Sequence, residues 1–228
     1  MLSKQELAGY IDHTQLKPVA TYEDIEKLCS EAKEYGFYSV CVNSCYVKYA
    51  VEKLAGSNVK VAATVGFPLG TASTGAKAFE AAEAIRAGAS EIDMVMNVGL
   101  LKSGDYFAVR EDMEAVVKAA KQINPDAKVK VILEMCYLNP SEKVTACQLA
   151  RDAGADFVKT STGFGPGGAT VEDVELMKKL VGDSMGVKAA GGIRDLKTTM
   201  AMIEAGATRI GASAGVAIIL ELDRSKNG

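Results

Sequence analysis

Residues 147–159 read Cys147-Gln-Leu-Ala-Arg-Asp-Ala-Gly154-Ala-Asp-Phe-Val-Lys159, an alanine-rich helical stretch that ends at a glycine and is followed at once by a short strand. A glycine just past a helix adopts the left-handed conformation without a steric penalty. Short helix-to-strand links place successive strands parallel, in right-handed βαβ units. The same pattern recurs at residues 28–42, 81–95 and 200–211. The chain is therefore predicted to be an α/β protein with a parallel sheet.

Eight segments are candidate strands, and their starts are spaced close to the ~30 residues of a βαβ unit. They are Tyr10–Thr14, Ser39–Asn43, Lys60–Gly66, Glu91–Asn97, Lys128–Glu134, Phe157–Ser161, Val187–Gly191 and Arg209–Ser213. Eight strands alternating with helices favour a (β/α)8 TIM barrel, with an open doubly wound sheet as the alternative. Because no Pro/Ser-rich linker or charge block divides the chain, residues 1–228 are predicted to form a single domain.

Composition excludes several classes of function. The net charge of −3 gives no electrostatic footprint for nucleic acid or an anionic membrane surface. No apolar run reaches the roughly 18 residues of a membrane helix, and the start of the chain lacks a signal-peptide apolar region, so a cytoplasmic protein is expected. Five cysteines and one histidine, His13, provide no regular metal-ligand pattern. No metal or other cofactor is expected.

Lys159 is the unusual residue of the chain, because it lies on a strand that should be buried on both faces. A buried ammonium either finds a partner or gives up its proton, and a neutral lysine is a nucleophile towards carbonyls. The run after it, from Ser161 to Gly168, is rich in glycine, whose backbone amides can approach an anion closely. The alternative is a lysine that reaches solvent at a strand end, followed by an ordinary loop.

Active sites of such barrels lie at the carboxyl ends of the strands, where this chain places Lys188 and Asp93 near Lys159. A second ammonium and desolvation both disfavour the charged form of a lysine, and Asp93 can keep one of the pair charged. This arrangement is typical of an imine-forming enzyme that needs no cofactor. The alternatives are that Lys188 faces solvent at the barrel bottom and that Asp93 caps a backbone amide.

Two further loops are candidates for an anion site, since the loops after strands seven and eight form the usual phosphate site of this fold. One contains Gly191, Gly192 and Arg194, and the other contains Gly211 and Ser213. Arg194 can add a charge-assisted hydrogen bond to a phosphate, or it can pair with Asp195 on the surface.

Five motifs together resemble the deoxyribose-phosphate aldolase family over nearly the whole chain: Lys-Thr-Ser-Thr-Gly at 159–163, Val-Lys-Ala-Ala-Gly-Gly-Ile-Arg at 187–194, Glu-Ile-Asp-Met-Val at 91–95, Val-Gly-Phe-Pro-Leu-Gly at 65–70 and Ile-Asp-His-Thr at 11–14. The resemblance implies a class I aldolase that reversibly cleaves 2-deoxy-D-ribose 5-phosphate to D-glyceraldehyde 3-phosphate and acetaldehyde. It also implies a homo-oligomer, either a dimer or a tetramer, that acts in deoxynucleoside catabolism.

The resemblance assigns roles to matching positions. Lys159 resembles the Schiff-base lysine, Lys188 the lysine that perturbs it, Asp93 the proton-transfer acid or base, and Asp12 a supporting carboxylate. The residues expected to contact substrate or its phosphate are Cys41, Thr160, Gly163, Gly191, Gly192, Arg194, Gly211 and Ser213.

The chain departs from the family pattern at two places. Phe164 stands where some members have a lysine that faces the phosphate, and the chain ends at Gly228 without the tyrosine that some members use to shuttle protons.

Two rival functions share parts of the pattern. Another Schiff-base lyase or a transaldolase would share the imine, and a non-catalytic sugar-phosphate-binding barrel would keep the glycine loops without needing two buried lysines.

Overall fold

The computed structural model of the protein describes the backbone of residues 2–227 and the side chains of residues 2–224. Eight parallel strands pair in chain order into a closed barrel, with the last strand beside the first. The strands are β1 Ile11–Gln15, β2 Ser39–Asn43, β3 Lys60–Val65, β4 Glu91–Val95, β5 Lys128–Ile132, β6 Phe157–Lys159, β7 Gly186–Ala190 and β8 Arg209–Ala212. The predicted (β/α)8 barrel is confirmed, and the open sheet is excluded.

Helices follow the strands around the outside of the barrel. They are α1 Lys4–Ala8, α2 Tyr22–Tyr35, α3 Val47–Lys53, α4 Thr74–Arg86, α5 Val98–Lys102, α6 Tyr106–Ile123, α7 Pro140–Asp152, α8 Val171–Val181, α9 Leu196–Glu204 and α10 Gly215–Asn227. Within residues 2–227, no helix combines the length and apolar composition needed to cross a membrane.

The glycines that end the repeated helices behave as the sequence pattern predicts. Gly36, Gly88, Gly154 and Gly206 have φ values of 70°, 105°, 76° and 109°. A residue with a side chain is strained in this left-handed region, so these glycines allow the chain to turn directly from helix to strand.

The predicted strand ends are less accurate than the predicted strands. β6 ends at Lys159 rather than Ser161, and β5 ends at Ile132 rather than Glu134. For β5 the reason is local, because Glu134 adopts a left-handed conformation with φ 54° that cannot continue a strand. Gly66, with φ 62°, likewise ends β3 at Val65.

The strand register aligns charged residues inside the barrel. Lys159 on β6 pairs with Lys188 on β7, and Asp93 on β4 pairs with Lys130 on β5. Apolar side chains fill the layer between strands and helices, whereas this part of the barrel interior carries charge. Charged groups in a closed interior need partners, and the partners define the site.

Candidate active site

Asp93 is the centre of the charged interior and is completely buried. Its Oδ2 accepts hydrogen bonds from the Nζ atoms of Lys159 and Lys188, both at 2.8 Å, and its Oδ1 accepts one from Lys130 at 2.7 Å. The structure therefore brings together the two lysines and the carboxylate that the sequence proposed. The alternatives, a solvent-facing Lys188 and an Asp93 that caps a backbone amide, are wrong.

Asp12 supports Lys188 from the opposite side. Lys188 Nζ lies 2.5 Å from Asp12 Oδ2 as an ion pair, and both side chains are fully buried. Asp12 Oδ1 also accepts hydrogen bonds from Ser39 Oγ at 2.7 Å and from Arg209 at 2.9 Å. The ammonium of Lys188 is thus held between two carboxylates, and the predicted supporting position of Asp12 has a geometric basis.

Gly211 makes room for this arrangement. A Cβ added there would lie 3.0 Å from Lys188 Cε and 3.0 Å from Ala190 Cβ. Both contacts are tighter than ordinary van der Waals packing, so a side chain at this position would force Ala190 or Lys188 to shift by a few tenths of an ångström. Gly211 also lines the cavity above Lys159, so it has two roles where the sequence suggested one.

Three charged residues below Asp93 were missed in the sequence analysis. Lys130 Nζ lies 2.5 Å from Glu91 Oε2, and Glu91 Oε2 lies 3.0 Å from Arg209. The alternation of Glu91 with Asp93 on one strand was a signal that both point inward. Lys130 in the middle of β5 and Arg209 at the start of β8 have no sequence feature that identifies their partners until the register is known.

The charges in this interior stabilise one another. Burial alone would raise the pKa of Asp93, but Lys130, Lys159 and Lys188 outweigh it and hold that pKa well below its usual value. Burial alone would lower the pKa of Lys188, but Asp12 and Asp93 outweigh it and raise that pKa. Lys188 is therefore a charged ammonium, and Asp93 is a carboxylate, throughout the neutral pH range.

The same balance applies to the flanking groups. Burial would raise the pKa of Asp12, but Lys188 and Arg209 outweigh it and lower that pKa. Burial would lower the pKa of Lys130, but Asp93 and Glu91 outweigh it and raise that pKa.

A cavity of about 220 Å³ opens above Lys159 at the carboxyl end of the barrel. Its wall includes Lys159 and six of the predicted phosphate-site residues, namely Gly163, Gly191, Gly192, Arg194, Gly211 and Ser213. The amine of Lys159 therefore lies at the base of a pocket whose other side is built from glycine loops.

The two glycine loops touch each other. A Cβ on Gly168 would lie 2.2 Å from the carbonyl oxygen of Gly191, and Ala169 N donates a hydrogen bond to that oxygen at 3.0 Å. Gly163, Gly191 and Gly192 all have positive φ, between 78° and 88°. Left-handed glycine backbone turns its amide groups towards a concave surface, which is the geometry of an anion cradle.

Thr160 and Cys41 were predicted to contact the substrate, but neither lines the cavity above Lys159. Thr160 is buried, and its Oγ1 donates to Ala190 O at 2.9 Å and accepts from Ala190 N at 3.1 Å, so it ties β6 to β7. Cys41 is fully buried, with Sγ 3.9 Å from Asp93 Oδ2. Burial and the Asp93 charge raise the pKa of this thiol, which is therefore neutral beside the carboxylate.

Phe164 lines the cavity and packs edge-on against Phe67, with ring centroids 5.3 Å apart. A cation missed by the sequence analysis, Lys17, lines the same cavity from the loop after β1 and is exposed. Arg194 is also exposed there, while Asp195 accepts a hydrogen bond from Thr198 N and caps α9. The cavity can therefore offer two flexible cations in addition to backbone amides.

The expectation about the missing tail tyrosine concerns residues 225–228, which lie outside the described side chains. Among the described residues, no three His, Cys, Asp or Glu side chains cluster so as to hold a metal ion.

Comparison with known proteins identifies close relatives. Residues 7–221 match the family model of the DeoC/LacD family aldolases. A deoxyribose-phosphate aldolase of Thermoanaerobacter sp. (strain X514) is 60% identical over 220 residues, covering 96% of this chain and 98% of the relative. One from Thermococcus gammatolerans is 62% identical over 216 residues, covering 94% and 95%. The tetrameric structure of deoxyribose phosphate aldolase from Aeropyrum pernix superposes with a TM-score of 0.89 at 37% identity, covering 97% of this chain and 92% of that one.

Proposed function

This chain belongs to the DeoC/LacD family of aldolases, and from that premise we propose that it reversibly cleaves 2-deoxy-D-ribose 5-phosphate to D-glyceraldehyde 3-phosphate and acetaldehyde. The reaction proceeds through a Schiff base on Lys159. One observation carries the proposal: Lys159 and Lys188 share a single buried oxygen of Asp93 at the base of a cavity walled by glycine loops.

Imine formation begins with the uncharged amine of Lys159. The nitrogen attacks C1 of the open-chain sugar, and the resulting carbinolamine loses water to give a protonated imine. Because the interior holds Asp93 as a carboxylate, the positive charge of the iminium forms beside a fixed negative charge.

Carbon–carbon cleavage follows from the electron demand of the iminium. The bond between C2 and C3 breaks as the C3 hydroxyl loses its proton. The electrons of that bond form the C1–C2 double bond of an enamine, and the electrons of the C=N double bond move to the imine nitrogen. Glyceraldehyde 3-phosphate leaves. Protonation of the enamine at C2 and hydrolysis of the imine then release acetaldehyde and restore Lys159.

Water transfers the protons in this scheme, beside Asp93 and Lys188. The strongly paired state of Asp93 and Lys188 makes each a weak proton-exchange group in the resting enzyme, since both are stabilised in their charged forms. Their contribution is therefore to orient water and to stabilise charge on the substrate, while water in the cavity transfers the protons.

The phosphate of the substrate binds in the glycine cradle. Amides of the loops containing Gly163, Gly191 and Gly192 supply hydrogen bonds, and Lys17 and Arg194 supply charge. Lys17 compensates for the phosphate-facing lysine that Phe164 replaces. The side-chain cation offered to the phosphate is thus on the loop after β1 rather than on the loop after β6, while the Gly163 amide of the latter loop still lines the cavity.

The quaternary state is also part of the proposal. A relative of known structure is a tetramer, and we expect this chain to assemble into a dimer or tetramer of identical subunits. The physiological direction of the reaction is expected to be catabolic, towards the breakdown of deoxyribose phosphate.

Turnover of the proposed substrate tests the function. Wild-type protein incubated with 2-deoxyribose 5-phosphate should release acetaldehyde, and Lys159→Ala should not. Lys128→Ala is the matched control, because Lys128 lies on the exposed start of β5. Absence of acetaldehyde from the wild type would exclude this substrate, and undiminished release by Lys159→Ala would exclude the imine.

A further inference from the structure

The charged side chains beneath Lys159 form a closed ring. Six groups alternate in sign and each contacts the next: Asp93 to Lys130 at 2.7 Å, Lys130 to Glu91 at 2.5 Å, Glu91 to Arg209 at 3.0 Å, Arg209 to Asp12 at 2.9 Å, Asp12 to Lys188 at 2.5 Å, and Lys188 back to Asp93 at 2.8 Å. Lys159 is attached to this ring at Asp93. A change in the charge of one member therefore changes the electrostatic potential at the other members of the ring.

Arg209 closes the ring at the bottom of the barrel. Its guanidinium carbon lies 3.5 Å from the ring centroid of Tyr38 and 5.4 Å from that of Phe157. A single nitrogen of Arg209 contacts both Asp12 and Glu91. The aromatic rings shield this cation from water, so its interactions with the two carboxylates are weakly screened.

The ring is electrically neutral, with three carboxylates and three cations. The proton on Lys159 is then the charge that the interior gains or loses in the reaction. Each member of the ring except Arg209 has a side chain no more than 2% exposed, and Arg209 is 7% exposed. At such burial, removing one charged partner leaves an uncompensated charge that the whole interior experiences.

Resting on the imine chemistry proposed above, we propose that Glu91 and Arg209 are positioning residues that act through Asp93 and Asp12 to set the pH range in which Lys159 forms its imine. Neither residue lines the substrate cavity. Glu91 holds Lys130 against Asp93, and Arg209 holds Asp12 against Lys188. Their effect on Lys159 is therefore electrostatic and indirect.

The titratable and charged groups around Lys159, in direct contact or through other members of the ring, come from several strands of the barrel. They are Asp12 on β1, Cys41 on β2, Glu91 and Asp93 on β4, Lys130 on β5, Lys188 on β7 and Arg209 on β8, with Lys17 and Glu134 in the loops above. Removal of a negative member disfavours the ammonium form of Lys159, and removal of a positive member favours it. A residue that only stabilises the fold has no such sign dependence.

Trapping of the imine at different pH values separates these roles. Wild-type, Glu91→Gln and Arg209→Met proteins are incubated with acetaldehyde and cyanoborohydride between about pH 5 and pH 10, the interval between carboxylate and lysine reference values. The adduct is quantified by mass spectrometry. The trapping midpoint should move to lower pH in Glu91→Gln and to higher pH in Arg209→Met, each by about one pH unit, the order expected for a buried unit charge that acts beyond direct contact at an effective dielectric near 20.

A double variant and two controls sharpen the test. Glu91→Gln combined with Arg209→Met restores neutrality, so its midpoint should return close to that of the wild type. Glu83→Gln and Lys128→Met remove exposed charges and should leave the midpoint unchanged. If one single variant does not fold, as judged by circular dichroism, the other still reports the sign. If neither folds, a double variant with a shifted midpoint overturns the proposal.

Several outcomes would contradict the role of the ring. Equal loss of trapping at every pH with unchanged midpoints would leave Glu91 and Arg209 with a structural role alone, and shifts in the same direction would exclude an electrostatic one. A wild-type protein that yields no adduct at any pH would instead contradict the imine on which the proposal rests.

Discussion

Asp93 shows how one residue can organise an active site, because its two oxygens accept hydrogen bonds from three lysines. The sequence identified two of these lysines from their places on adjacent strands. It did not identify Lys130, whose role depends on which neighbour its side chain meets across the barrel. It also misjudged Thr160, because nothing in a Lys-Thr-Ser-Thr-Gly motif distinguishes a hydroxyl that faces the substrate from one that bonds the next strand.

Lys17 provides a prediction at this scale. Lys17→Met should lower kcat/KM for 2-deoxyribose 5-phosphate about tenfold, the lower end expected for a hydrogen bond to a charged group, and should leave kcat/KM for free 2-deoxyribose unchanged. Steady-state kinetics with both sugars measures the ratio. Adding Phe164→Lys to Lys17→Met should restore part of the loss, because it returns a cation to the other wall of the same cavity.

The matched control for this experiment is Lys27→Met. Lys27 lines a neighbouring cavity, forms an exposed pair with Glu31, and does not line the cavity above Lys159. It should leave both substrates unaffected. A Lys17→Met variant that loses the same factor with both sugars would show that Lys17 does not recognise the phosphate.

At the scale of elements, four of the strands could be predicted with most certainty from the sequence, because each of these four follows a helix that ends at glycine. Their ends could not, because they depend on individual backbone conformations. Glu134 is the clearest example: its φ of 54° turns the chain, and its carboxylate then accepts from Thr162 N at 3.1 Å and from the Thr162 hydroxyl. This contact joins the loop after β5 to the loop that follows Lys159.

The stagger of the strands explains why the charged ring was also missed. On the sheet, Glu91 is the register partner of Lys128, yet its side chain meets Lys130. Strands in a closed barrel are tilted, so inward side chains contact neighbours from a different level of the next strand. Sequence alternation predicts which residues point inward, but the contacts among them require the tilt.

At the scale of the whole molecule, the ring predicts how stability depends on pH. Asp12 and Asp93 have lowered pKa values, because neighbouring cations outweigh the effect of burial. A carboxylate whose pKa is depressed by folding contributes stability above its unfolded value, near 4, and that contribution is lost as pH falls towards the folded value. Lys130 and Lys188 have raised pKa values. Their contribution to stability is complete below the unfolded lysine pKa, near 10, and is lost as pH rises towards the folded values.

The free energy of unfolding should therefore change little between about pH 5 and pH 9 and fall steeply below about pH 4. Urea denaturation followed by circular dichroism at a series of pH values measures it. Asp126→Asn, which removes an exposed carboxylate, should keep this profile. An unfolding free energy that stays constant down to pH 3 would contradict the assignment of Asp12 and Asp93 as buried, charged carboxylates.

The central claim is that the substrate becomes covalently attached to Lys159, and reductive trapping tests it most directly. The protein is incubated with acetaldehyde and borohydride, digested, and mapped by peptide mass spectrometry. We expect one two-carbon adduct per chain, on Lys159, and none on the adjacent Lys188, which two carboxylates hold as an ammonium. A stoichiometric adduct on Lys188 would reverse the roles of the two lysines, and the absence of any adduct would contradict the Schiff-base mechanism.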